Sequence, residues 1–200
     1  MNEANQVSLS PYGRLGRPGE VLGEQLGGAE PKLRPGELQR LVTLARLEAT
    51  DKDEFVRGQA IDFLGRFKAR QGLTAVLNCR FDGSWYVRTS AYWAIARIAK
   101  GRALQRYLEP GKIDNHQVVR KATWTGLIDS FGVALRPDVV RALEKERAWH
   151  PRVALLYGLA LWGDEVALAR LRRMQQNPRR KLGSIADEYL AAVERKAMAR

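Results

Sequence analysis

Four arginines, Arg57, Arg88, Arg120 and Arg152, stand 31, 32 and 32 residues apart, and the residues around each keep one pattern. The segments "DKDEFVRGQAIDFLGRF" (51–67), "DGSWYVRTSAYWAIARI" (82–98), "DNHQVVRKATWTGLIDS" (114–130) and "ERAWHPRVALLYGLALW" (146–162) align without a gap. Six residues before each arginine is an acid: Asp51, Asp82, Asp114 and Glu146. Just before it come Val56, Val87 and Val119, then Pro151. Three residues after it are Ala60, Ala91, Thr123 and Leu155; seven after it, Leu64, Ile95, Leu127 and Leu159. A unit this short cannot bury its own apolar face. A fixed period of about 31 residues therefore restricts the chain to small units packed one on the next.

Positions −1, +3, +7 and +10 relative to the arginine fall on one side of a helix. Each unit thus predicts an amphipathic helix opened by an acid-containing turn. The acids are placed to cap it, accepting bonds from backbone N–H groups left over at the helix start. A second apolar-periodic stretch precedes each helix. The first is "GELQRLVTLARLEA", with Leu38, Leu41, Val42 and Ala45 on one side. Shorter ones follow at "LTAVLNCR", "ALQRYL", "PDVVRALEKER" and "VALARLRRM". The expected fold is all-α, with Val56, Leu64, Val87, Ile95, Val119 and Leu127 buried. The arginines are expected to bond turn acids, Arg88 with Asp82.

The turn acid and the "VR..A...LG" pattern of "VRGQAIDFLG" (56–65) resemble HEAT-like repeats of the short class first noted in phycobilisome lyases. The resemblance covers about residues 36–175. It implies a helical-repeat solenoid of about five helix pairs, with the second helices lining a concave face. The last stretch, "NPRRKLGSIADEYLAAVERK", keeps an amphipathic helix through Leu182, Ile185, Ala186, Tyr189 and Val193 but loses the arginine register. A terminal cap with one polar face has that form.

Residues 1–35 hold Gly and Pro at short intervals and show no period, so a flexible tail is expected there, followed by the repeat domain at 36–200. In the tail Arg14, Arg17, Lys32 and Arg34 balance Glu3, Glu20, Glu24 and Glu30, which leaves the net charge of +12 on the remainder. The single cysteine, Cys79, excludes an internal disulfide framework and cysteine-based metal clusters. No apolar run approaches the roughly 18 residues of a membrane span, and the first residues lack the apolar core of a secretory signal. The expected location is cytoplasmic.

Two surfaces are candidates for binding. The columns at +1, +5 and +9 are mixed rather than apolar, and Arg66, Trp93, Arg97, Lys121 and Tyr157 would form an aromatic–cationic ridge along the second helices. Such a ridge suits a protein hot spot and also suits stacking on nucleotides. The alternative for Trp93 is packing between units. The second surface is the basic end. From residue 166 onward nine cations face three acids, densest at Arg170, Arg172, Arg173, Arg179, Arg180 and Lys181. It would serve as a solvated cap or as an anion site. Trp85 and Trp149, in the turns, would staple neighbouring turns together or anchor a partner at the edge.

Chemistry is sparse. His116 and His150 occupy similar turn positions without acid–base or metal-ligand spacing, and neither a cofactor nor a metal is expected. The expected function is a non-catalytic binding module, an adaptor or accessory subunit with a protein partner. The first alternative is a nucleic-acid-binding protein that contacts the phosphate backbone. The second is a bilin-lyase-like enzyme, or a DNA-glycosylase-like one using Trp93, Asp62 or Asp129, and Arg97.

Overall fold

The computed structural model describes residues 34–176 and 182–198, and every regular element there is helical. The tail expected at 1–35 lies outside the described residues except for its last two. The helices come as a first and a second in alternation: α1 (Pro35–Glu48) and α2 (Glu54–Arg66), α3 (Leu73–Asn78) and α4 (Trp85–Ile98), α5 (Gly101–Leu108) and α6 (Gln117–Phe131), α7 (Arg136–Lys145) and α8 (Trp149–Leu161), α9 (Glu165–Gln175) and α10 (Leu182–Met198). Short 3-10 turns flank α3 and follow α5 and α6. Among the described residues no helix is long and apolar enough to cross a membrane.

Second helices pack side by side in chain order, α2 on α4, α4 on α6, α6 on α8 and α8 on α10. Close approach is built into the sequence. A methyl group on Gly65 of α2 would lie 2.7 Å from Ala94 Cα of α4, and one on Gly126 of α6 would lie 2.7 Å from Ala96 Cβ. The position eight after one arginine thus meets the position six after the next. The +7 residues Leu64, Ile95 and Leu127 are fully buried, as are Val87 and Val119. Ile61, Tyr92, Trp124 and Leu156, at +4, are buried beside them. Val56 departs from the expectation and is only half-buried. It sits on the first of the second helices, where no earlier one covers it.

The acids are not the helix caps. Asp53 caps α2 by accepting from Phe55 N–H, and Ser84 caps α4 by accepting from Tyr86 N–H. The register acids stand two residues earlier and accept from the backbone N–H of the cap residue itself: Asp51 from Asp53 (2.8 Å), Asp82 from Ser84 (2.9 Å), Asp114 from His116 (2.8 Å) and Glu146 from Ala148 (2.8 Å). This local turn sets the chain's entry angle and leaves the rest of each carboxylate free to face sideways.

After each second helix the chain reverses through a left-handed residue: Lys68 (φ 49°), Gly101 (φ 62°), Gly132 (φ 59°) and Gly163 (φ 86°). Glycine adopts that conformation without penalty, whereas Lys68 does so at about 1–2 kcal/mol.

Candidate functional site

The sideways carboxylates meet the arginine of the preceding unit. Arg57 Nε and Nη2 donate to Asp82, both at 2.8 Å; Arg88 donates to Asp114 at 2.8 and 3.0 Å; Arg120 donates to Glu146 at 2.8 and 3.0 Å. Each arginine also holds its own turn through Nη1, bonded to the carbonyl of Asp51 (2.8 Å), Asp82 (2.9 Å), Asp114 (2.8 Å) and, for Arg152, Glu146 (2.7 Å). The expected pairing of Arg88 with Asp82 is therefore made through the backbone, and its carboxylate partner is one unit further on. Fork-to-fork pairs of this kind are the stronger hydrogen bonds. Burial by itself would raise the Asp82, Asp114 and Glu146 carboxyls. The arginine and backbone N–H donors outweigh it and hold all three below their ordinary values. These arginines are structural.

Trp85 and Trp149 lie on the same edge. Trp85 of one unit stacks on His116 of the next, with ring centroids 4.3 Å apart, so it staples two turns as one of its two expected roles. Trp149 packs on its neighbour His150 at 3.6 Å. Burial, then the nearby Lys121 and His116, push His150 down to about 4, so it is neutral at pH 7.

The expected ridge divides into two parts. On α2 and α4, Arg66, Trp93 and Arg97 come together. The Trp93 ring lies against Gly65, half-buried, and the Arg97 guanidinium sits 3.8 Å from its centroid. Beneath them is Asp62. Burial lifts its carboxyl to about 6, while Ser90, Arg66 and Arg97 draw it partway back. The Ser90 hydroxyl lies alongside without completing a well-formed bond, and Asp62 Oδ1 accepts no hydrogen bond. An acid whose folded value is raised binds its proton more tightly in the native state. Stability is then lost as pH rises from about 4 to 6. Asp62→Asn should accordingly raise stability at pH 7 by about 1–2 kcal/mol and flatten that interval, as read from thermal melts across pH. An unchanged or lowered melting temperature would show that the carboxylate is satisfied.

On α6 and α8 the ridge is covered, which corrects the expectation for Tyr157 and Lys121. Tyr157 is 3% exposed, donates to Asp129 at 2.9 Å and stacks on Tyr189 of α10 at 4.5 Å. Tyr189 and Thr125 share a hydroxyl bond of 2.7 Å, and Lys196 pairs with Asp129 at 3.2 Å. Burial lowers the Lys121 ammonium, which lies 6.0 Å from the Tyr189 ring. The last helix thus packs on the columns that were expected to meet a partner. Asp62 and Asp129 occupy different parts of the ridge, Asp62 near Arg66 and Arg97 and Asp129, exposed, beside Lys196 of α10.

At the basic end, Arg170, Arg172 and Arg173 are exposed on α9, and Arg179, Arg180 and Lys181 lie outside the described residues. A second cationic region escaped the reading by unit. Between Asp62 and Glu109 the chain holds nine Arg and Lys residues and one acid, Asp82. The signal was a long stretch almost free of acids, cut in two by the unit boundaries. No protein-family model matches this sequence, and no curated protein matches it.

Proposed function

We propose that this chain is a non-catalytic binding module, a HEAT-like solenoid of about five helix pairs acting as an adaptor or accessory subunit of a protein assembly. The observation that carries the reading is the Trp93–Arg97 pair. A tryptophan half-buried against Gly65, with a guanidinium 3.8 Å from its ring, is the chemistry of an interface anchor. The arginine clamps support it too, because they fix successive units and so hold that pair on a rigid surface. The chain's own α10 lies on the corresponding columns of α6 and α8, which supports helix docking along this face.

Affinity capture from native lysate with wild type and Trp93→Ala, followed by titration of the retained protein, tests the reading. The substitution is expected to weaken binding by at least about 1–2 kcal/mol, the scale of a hot spot, with the melting temperature nearly unchanged. A sharp drop in melting temperature with binding intact would make Trp93 a packing residue and remove the proposed face.

A further inference from the structure

We propose that the first two turns joining one unit to the next form a binding site for the phosphate backbone of a nucleic acid. The site is distinct from the Trp93 face and from α9. Residues 63–108 carry +8 of the chain's net +12. Their single acid, Asp82, is already engaged by Arg57 at 2.8 Å. The remaining charge is placed in register. Lys68 and Arg70 follow α2, and Lys100 and Arg102 follow α4, each 32 residues further on.

The packing brings the two sets together. A methyl group on Gly65 would lie 2.7 Å from Ala94 Cα, with Gly65 three residues before Lys68 and Ala94 six before Lys100. Helices packed this closely run about 8–10 Å apart, so their C-terminal turns lie next to each other. Lys68, Arg70, Lys100 and Arg102 are exposed, and none of the four forms an ion pair with a described residue. Lys68 holds the left-handed position that Gly132 and Gly163 hold in later turns, so the lysine is kept against its backbone preference. α5 begins at Gly101 with no side-chain cap, and the positive end of its dipole adds to the same turn. The row then stops. Gly132 and Ala134 stand 32 residues beyond Lys100 and Arg102, and Arg136 is occupied by Asp164 at 3.1 Å.

Cations repeated at unit spacing along an edge match an anion that itself repeats. That is a nucleic-acid strand, whose phosphates are evenly spaced and whose counterions are released on binding. Arginine forks favour phosphate oxygens. A lipid surface fits less well, because exposed large apolar side chains such as Leu47, Phe81 and Ile113 lie outside these turns.

The test is fluorescence anisotropy of the full chain with labelled single-stranded and duplex oligonucleotides between about 50 and 200 mM salt. The variant is Lys68→Glu, Arg70→Glu, Lys100→Glu and Arg102→Glu combined, with the four glutamine substitutions as a second variant should charge reversal disturb folding. We expect wild-type binding to at least one oligonucleotide. The glutamate variant should weaken it at least about 100-fold, and the glutamine variant should reduce the salt slope by about 3–4, one for each lost phosphate contact. Arg170→Glu, Arg172→Glu and Arg173→Glu together should leave affinity within about threefold, as expected for a distant patch. Absence of binding by wild type at low salt would overturn the proposal. So would wild-type affinity in the glutamine variant, a loss confined to the α9 variant, or tighter binding to phosphatidylserine vesicles or polyglutamate than to either oligonucleotide. Trp93→Ala should leave oligonucleotide affinity unchanged, which separates this site from the protein-binding face.

Discussion

Arg88→Ala is expected to destabilise the protein by about 3–5 kcal/mol, the cost of removing one partner from a buried ion pair. The guanidinium makes five bonds: two to Asp114, one to Asn115 and one each to the carbonyls of Asp82 and Gly83. Its side chain and that of Asp114 are only 13% and 11% exposed. Alanine would leave a nearly buried carboxylate with the His116 N–H but no cation, and the turns of two units would lose their tie together. Urea denaturation of wild type and variant measures the loss. A change below about 1 kcal/mol would place the pair among ordinary surface salt bridges. The pH dependence gives a second readout. Asp82, Asp114 and Glu146 have folded values below their unfolded ones. Their stabilisation is therefore complete above the ordinary carboxylate range near pH 4 and is lost as pH falls through the lower folded values. Arg88→Ala should remove the Asp114 share of that acid sensitivity.

Ile95→Ala is expected to cost about 2–5 kcal/mol, because it opens a cavity in the core cluster beside α4 and the surroundings close it only in part. Ile95 has no exposed surface, and the small residues on either side of it, Ala94 and Ala96, already bring α4 close to α2 and α6. There is little slack for α2 or α6 to move inward. Denaturant melts give the value directly, and an effect near zero would mean that the neighbours refill the space.

Much of the helical layout could be read from periodicity alone, since burial columns such as Leu64, Ile95 and Leu127 repeat with the arginines. What periodicity does not carry is the partner across a unit boundary. Asp82 is six residues from Arg88 and twenty-five from Arg57, yet its carboxylate pairs with Arg57, because the stacking of α2 on α4 decides which side chains face each other. The cap positions were misplaced for a related reason: an acid two residues too early can still organise the turn through the backbone of the next residue but one. Tyr157 and Lys121 read as surface residues because the mixed columns at +5 and +1 look solvated. They are covered by α10, and the landing place of a terminal helix is a long-range matter that no local pattern encodes. The sequence groups Arg66, Trp93 and Arg97 on a shared face; Trp93 and Arg97 meet, and Arg66 and Arg97 both act on Asp62.

The arginine clamps also have a direction. Each unit offers a carboxylate to the unit before it and an arginine to the unit after it, as a strand of monomers joins head to tail. Among the described residues Asp51 meets no earlier arginine and Arg152 meets no later carboxylate. Every joint between them has an arginine as donor, a carboxylate as acceptor and 25 or 26 residues from one to the other. A duplicated cassette of about 32 residues spliced between two units would find its connections already made on both sides. The array is in that sense written to be lengthened or shortened by whole units, with the row of packed second helices extended or trimmed in equal steps and the terminal helix carried along as a movable end piece.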